Sequence, residues 1–409
     1  MIHMPAGESF IEVDHHQIFK HREGAGGDTF LSQKNESDGR VITVLSDGLG
    51  SGVKAGVLST LTATMALKFV ASNIPIKGAA KTIMNTLPVC RLRQISYATF
   101  TIVDIEPGLQ VRMMEFDNPG YLLIRDNQPM TPEKNAIIIE RKNKKSGPPQ
   151  NATMFYSSYQ ALPGDRLVFF SDGVTQSGMG SKGFPFGWGE ERVKDFILEK
   201  IRTTPSVSAR ELARSIVQQA LFHDQYQAKD DITCGVIYIR SPRDLLIVTG
   251  PPMNPDHDSE MVRQFTAFSG SRIIAGGTTA GIISRQLGKT CRTDIKNLDP
   301  VIPPVSEMEG ADLVTEGIIT LGRVAEILEQ RTNIVTGTIA SSGRQNAADR
   351  IIEMIINHDR IVFLVGTKIN EAHQDPNMPV GLEIRRNIVK KIQGLLTEHY
   401  LKEVSIHYL

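Results

Sequence analysis

Four short stretches of the chain set a carboxylate against glycine at the edge of an apolar run. "GAGGDTFLS" puts Asp28 at the start of one run, and "VITVLSDGLGSG" ends another on Asp47. "RLVFFSDGVTQSG" repeats the second form around Asp172, and "QAKDDITCGVIYI" opens on Asp230 and Asp231. A lone Asp beside Gly at a strand end is ordinarily a turn residue that caps its own backbone. Around Asp47 a phosphate cradle and a metal ligand are the other two readings. Four such sites in the first 240 residues favour the metal. Carboxylates gathered at strand ends repel and need compensation. Hard oxygen donors with no His or Cys beside them suit Mg2+ or Mn2+. Glycine lets the backbone pass close to an ion and frees carbonyls for ligation. Spacing alone leaves open whether the acids converge.

The elements that must position them read as strands with helices between. "SFIEVDHHQIF", "RVITVLSD", "YATFTIVDI", "LQVRMMEF", "RLVFFSD" and "DITCGVIYI" are rich in β-branched and aromatic residues, bounded by Gly, Pro, Asn or Asp. "VKAGVLSTLTATMALKFVASN" reads as a helix launched from the glycines behind Asp47. "GAAKTIMNTLPVCRLRQ", broken or kinked at Pro88, "GEERVKDFILEKIR" and "SARELARSIVQQALFHDQY" are three more. Strands in this number with paired helices predict an α+β layered domain. "RSPRD" at 240–244 reads as a boundary, giving domains 1–241 and 242–409. Beyond it "DLLIVTG", "SRIIAGGTT", "DLVTEGIITL" and "RIVFLVGTK" read as strands alternating with helices, and "DPVIPPVSEM" as a loop. That rhythm predicts a smaller α/β domain with a partly parallel sheet.

In order, "GGD", "SDGLGSGVKA", "FFSDGVTQS" and "DDITCGVI" resemble the protein phosphatase 2C superfamily of metal-dependent Ser/Thr phosphatases, in its bacterial stage II sporulation E branch. The likeness covers roughly residues 8–240. It implies a two-sheet antiparallel β-sandwich flanked by helices, in α-β-β-α layers, with two ions, Mn2+ or Mg2+, at one end. Asp47 matches the acid that bridges both ions, and the Gly48 carbonyl a ligand of one. Asp172 and Asp230 match the acids that complete the first ion's shell, and Asp28 the acid on the second ion's side. Asp231 is the alternative to Asp230 within the same dipeptide. Ions roughly 3.5–4 Å apart would activate a water for in-line attack on phosphorus. No phosphoenzyme is then needed. The implied activity is hydrolysis of phosphoserine or phosphothreonine on a regulatory protein in the bacterial cytoplasm, a signal-transduction role. Two departures stand out. Leu49 replaces a His that follows the Asp-Gly in many eukaryotic members, and Arg22 and Lys20 are the nearest basic residues to their substrate-binding Arg, off register, with Arg22 the candidate. Control by oligomeric state or helix movement in this branch makes a homodimer a further expectation.

Composition narrows the partners. Lys plus Arg and Asp plus Glu both number 45 in 409 residues, so no net charge favours nucleic acid or an anionic membrane. No apolar run of about 18 residues is evident, and the N-terminus lacks the pattern of a signal peptide. Cys90, Cys234 and Cys291 are too far apart for a disulfide framework or a zinc site, which fits a reducing cytosol. His15, His16 and His21 read as strand-face or loop residues. In the second domain "IIAGGTTAGIISRQ" reads as strand, glycine turn and helix. Its Gly276, Gly277, Thr278 and Thr279 either hold an anion on helix-start amides or form a plain tight turn. "QLGKT" is not a P-loop, because Ile283 stands where the first Gly is required. The alternative to catalysis is a phosphoprotein-binding scaffold whose second domain senses a small ligand.

Overall fold

The computed structural model describes residues 9–35, 38–86, 98–141, 150–293, 302–333, 346–368 and 381–409. Pro88 and Cys90 lie outside these residues. The chain divides into a unit spanning Ile11–Arg240 and a second that takes in Ser241–Leu409.

The first unit is built on two antiparallel sheets. One has six strands: Asp28–Lys34, Val41–Gly48, Ala98–Ile105, Gln110–Phe116, Gln150–Gln160 and Lys134–Arg141, in that spatial order. The other has five: Phe10–Ile18, Ile232–Arg240, Arg166–Phe170, Leu122–Arg125 and Gln128–Met130. Alternation along each strand sends Leu45, Val103, Met113, Phe169 and Ile237 into a core between the sheets. The opposite faces are apolar as well, and helices cover them. Helices Gly52–Ala71 and Ile76–Thr86 pack on the first sheet through Ala63, Ala66, Val70 and Ile83. Helices Glu190–Thr203 and Ala209–His223 pack on the second through Val193, Ile197, Leu212 and Ile216. The α-β-β-α layering follows, because each sheet buries both faces.

Gly50 (φ 108°) and Gly52 (φ 68°) turn the chain from the Val41–Gly48 strand into the helix behind it, in a backbone region open to glycine at little cost. That helix is, by length and composition, apolar enough to cross a membrane, which the sequence reading did not anticipate. In this fold its buried side lies in the sandwich layer, while Val53, Val57 and Leu61 face out.

The second unit holds a seven-stranded sheet. Five parallel strands run in the spatial order Ala311–Thr315, Ser271–Ala275, Asp244–Thr249, Arg360–Val365, Glu403–Tyr408. A hairpin of Cys291–Thr293 and Ser306–Met308 adds an antiparallel edge. Both faces are covered. Helices Ile318–Asn333, Ala347–Asn357 and Gly381–Tyr400 enclose one core, and Asp258–Ala267 and Gly277–Leu287 the other. Two expectations are corrected. "GIITL" in "DLVTEGIITL" is the start of the Ile318–Asn333 helix, since the Leu321, Val324, Ala325 and Leu328 spacing buries a helical stripe. Ser306–Met308, expected in a loop, pairs as a short strand.

Candidate metal centre

Asp28 and Asp47 are direct partners across adjacent antiparallel strands. Side chains so paired share a face at roughly 4.5–5.5 Å between Cβ atoms, where like charges destabilise. The second sheet brings the other acids. Asp172 follows the Arg166–Phe170 strand, Asp230 and Asp231 precede Ile232–Arg240, and these two strands pair with Phe170 opposite Cys234. The two sheets are tied at this end. Thr233 Oγ1 donates to Asp28 Oδ2 at 2.6 Å. Thr233 N–H donates to Ser171 Oγ at 3.1 Å, and Ser171 N–H to the Thr233 carbonyl at 3.0 Å.

The electrostatics report crowding. Burial, then the charges of Asp28, Asp172, Asp230 and Asp231, push Asp47 up to about 10. Burial raises Asp28 to about 8 against the Thr233 and Ser171 hydrogen bonds, with Asp231 and Asp172 adding to the rise. Asp172 is raised by burial and then by Asp230, with hydrogen bonds from Asp47 and Gln176 opposing. Groups with these shifts hold protons in place of a cation. Among the described residues no three acids, histidines or cysteines are gathered into a closed ligand cluster.

The donor set nevertheless fits a hard divalent cation. Every candidate donor is oxygen. Asp28 Oδ1 is buried and has no hydrogen-bond partner among the described residues. The backbone is packed as tightly as the glycine pattern suggests. A Cβ on Gly48 would lie 2.1 Å from the Ala55 carbonyl oxygen, and one on Gly173 2.0 Å from the Asp231 carbonyl oxygen.

Asp231 differs from its neighbour. Its Oδ2 accepts from Gly27 N–H at 2.7 Å and its Oδ1 from Lys20 N–H at 3.1 Å, so it anchors the loop before Asp28. Asp230 Oδ1 accepts a local bond from Asp231 N–H, at 3.0 Å. Arg22 sits exposed in a left-handed turn of that loop (φ 68°), and among the described residues no hydrogen bond or ion pair joins it to the acids. Leu49 is half-buried. His15 and His16 lie on the Phe10–Ile18 strand, and His15 stacks on Phe30 at 4.2 Å. Gly276–Thr279 lie in the other unit. Thr233, Ser171 and Gln176 were missed as supports. "SDGVTQ" holds two of them, but which hydroxyl or amide reaches an acid depends on strand pairing. Gln176 Nε2 donates to Asp172 Oδ2 at 2.6 Å.

Residues 37–240 match the stage II sporulation protein E (SpoIIE) family. This unit belongs to that family. The SpoIIE match includes Asp47, Asp172, Asp230 and Asp231 and begins after Asp28. The unit is thus a protein Ser/Thr phosphatase domain of the 2C superfamily. No curated protein matches the chain. Among solved structures, the SpoIIE phosphatase domain of Bacillus subtilis is 20% identical, over 57% of this chain and 93% of that one, with TM-score 0.40. The RsbU and RsbW domains of a Mycobacterium tuberculosis protein are 15% identical, over 63% and 67%, with TM-score 0.42. A serine/threonine phosphatase of S. agalactiae is 14% identical, over 56% and 99%, with TM-score 0.39.

Proposed function

We propose that the SpoIIE-type unit is a divalent-cation-dependent phosphatase acting on phosphoserine or phosphothreonine of a cytoplasmic regulatory protein, in bacterial signal transduction. The observation that carries this reading is the opposition of Asp28 and Asp47 across two strands, with Asp172 and Asp230 within electrostatic reach of Asp47. Asp28, Asp47, Asp172, Asp230 and the Gly48 carbonyl would hold two ions, Mn2+ or Mg2+. Asp231 is better used as the loop anchor, because both its oxygens already accept backbone N–H bonds. Bound there, the cations supply Lewis acidity that activates water and offsets charge on the phosphoryl oxygens.

The chain's own residues set the geometry. Thr233 fixes one Asp28 oxygen and leaves the other for a cation. Gln176 Nε2 holds Asp172 Oδ2. Leu49 has no titratable proton and so does not serve as general acid toward the leaving Ser or Thr oxygen. Among the described residues no hydrogen bond or ion pair joins Arg22 to the acids, so it is not given a role in the site. A homodimer is part of the proposal, in line with regulation by assembly.

Purified full-length protein is expected to dephosphorylate a phosphoserine peptide and an aryl phosphate with Mn2+, and to lose this on Asp47→Ala. Calorimetry should count two Mn2+ per chain. A scaffold would neither turn over nor bind them, and inactivity across a full Mn2+ titration on a phosphorylated partner would overturn the assignment.

A further inference from the structure

The unit beginning at Ser241 carries polar groups for which catalysis has no use. They lie at the carboxyl edge of its parallel strands. In spatial order the strand Asp244–Thr249 stands between Ser271–Ala275, which follows it in the chain, and Arg360–Val365, which follows much later. Chain order therefore reverses beside it. At such a reversal in an open α/β sheet, the connections leave for opposite faces and open a crevice outside the carboxyl ends of the strands.

Three glycines let the strand ends meet closely there. A Cβ on Gly250 would lie 2.5 Å from Arg385 Nη1 and 2.8 Å from the Gly366 carbonyl oxygen. One on Gly276 would lie 3.2 Å from Thr279 Oγ1 and 3.9 Å from Gly250 N. One on Gly366 would lie 2.2 Å from the Pro251 carbonyl oxygen. Gly250 thus links Arg385 on one side to Thr279 on the other.

Among the described residues the side chains at this spot have few partners for their burial. Arg385, on the Gly381–Tyr400 helix, is 6% exposed. Its Nη1 donates to the carbonyls of Gly366 at 3.1 Å and Lys368 at 3.4 Å, and among the described residues no carboxylate pairs with it. A buried cation without a counter-charge is costly, and burial lowers the Arg385 pKa. Thr279 is fully buried, and its Oγ1, beside the Gly276 turn, has no hydrogen-bond partner among the described residues. Thr249 Oγ1, at the end of the central strand, has none either. Thr279 is in the first turn of the Gly277–Leu287 helix, where the first N–H groups have no intrahelical acceptor and the dipole favours an anion. Exposed Glu316 brings Oε1 to 3.0 Å from where a Cβ on Gly277 would be. Its carboxylate suits a hydroxyl donor.

We infer that this crevice binds the phosphate of a small phosphorylated sugar or nucleotide, held by Arg385, Thr279 and the helix-start amides of Gly277–Thr279, with Glu316 accepting from a ligand hydroxyl. The inference concerns a different unit from the acids and does not rest on the phosphatase reading. Its failure would leave that reading intact.

Calorimetry on the full chain carrying Asp47→Ala, in chelator, removes phosphate binding at the acid cluster. Inorganic phosphate, ribose 5-phosphate and AMP are the probes. Saturable binding of at least one, at one per chain, is expected, with affinity reduced at least tenfold by Arg385→Gln and by Thr279→Val. Thr279→Val preserves volume and removes only an unpartnered hydroxyl, so it keeps the test valid if Arg385→Gln fails to fold. Tighter AMP than phosphate, with the margin lost in Glu316→Gln, assigns a nucleotide. Equal affinities assign the phosphoryl group alone. No saturable binding by any probe, or unchanged affinity in Thr279→Val, overturns the inference.

Discussion

At the residue scale, the raised carboxyls make the fold's pH dependence a direct reading of the site. Asp28 holds its proton in the folded chain up to about 8, whereas the unfolded value is 3.8. Between those values the unfolded chain binds fewer protons than the folded one, so metal-free stability falls as pH rises through that window. Asp28→Asn should remove the Asp28 share of this slope and leave the share of Asp47, which is also raised. In chelator near neutral pH it is expected to melt higher than wild type, by on the order of a few kcal/mol, while losing turnover. Thermal melts over the window, with and without Mn2+, check both halves: Mn2+ should raise the wild-type midpoint, and raise the variant's by less, since Asp47, Asp172 and Asp230 remain. A variant melting below wild type in chelator would contradict the account. Packing gives a separate expectation. Gly48→Ala drives a Cβ to 2.1 Å from the Ala55 carbonyl oxygen, and overpacking of this kind costs about 1–3 kcal/mol. Urea denaturation measures it.

At the element scale, the tie between the sheets is a hydroxyl. Thr233 belongs to a strand of one sheet and donates to Asp28 on the edge strand of the other. Thr233→Val keeps the shape and frees Asp28 to rotate. Loss of an outer partner of a metal ligand typically lowers metal affinity 10–100-fold. The Mn2+ concentration for half-maximal activity is therefore expected to rise by at least about tenfold, with the rate at saturating Mn2+ less affected; an unchanged Mn2+ requirement would remove Thr233 from the support of the site. Elements with strong local patterns were legible before the fold was known. Ala209–His223 has a Ser208–Glu211 capping box and an apolar stripe, and the strands before Asp47 and Asp172 are bounded by turn residues. "DLVTEGIITL" misled because its apolar run continues across Glu316 and Gly317 from strand into helix. Gly317 lies at the turn, and only the packing of Leu321 and Val324 separates the two elements.

At the scale of the whole molecule, Ile11–Arg240 holds all five acids of the two sheet ends. That piece alone is expected to keep Mn2+-dependent hydrolysis of an aryl phosphate within a few-fold of the full chain. If it folds by circular dichroism yet is inactive, residues beyond Arg240 contribute to catalysis. The sequence by itself determined the strand and helix types, the change of rhythm after Arg240 and the chemical class of the acid-bearing turns. These depend on neighbours within a few residues, where periodicity and glycine chemistry operate. Tertiary structure alone decided that Asp28 stands opposite Asp47, and that Asp231 is spent on Lys20 and Gly27 amides. It also decided that Arg385 comes to rest against Gly250, 135 residues earlier in the chain. Register and strand order create these meetings, and both are set by which apolar faces bury together. No local stretch of sequence records that choice.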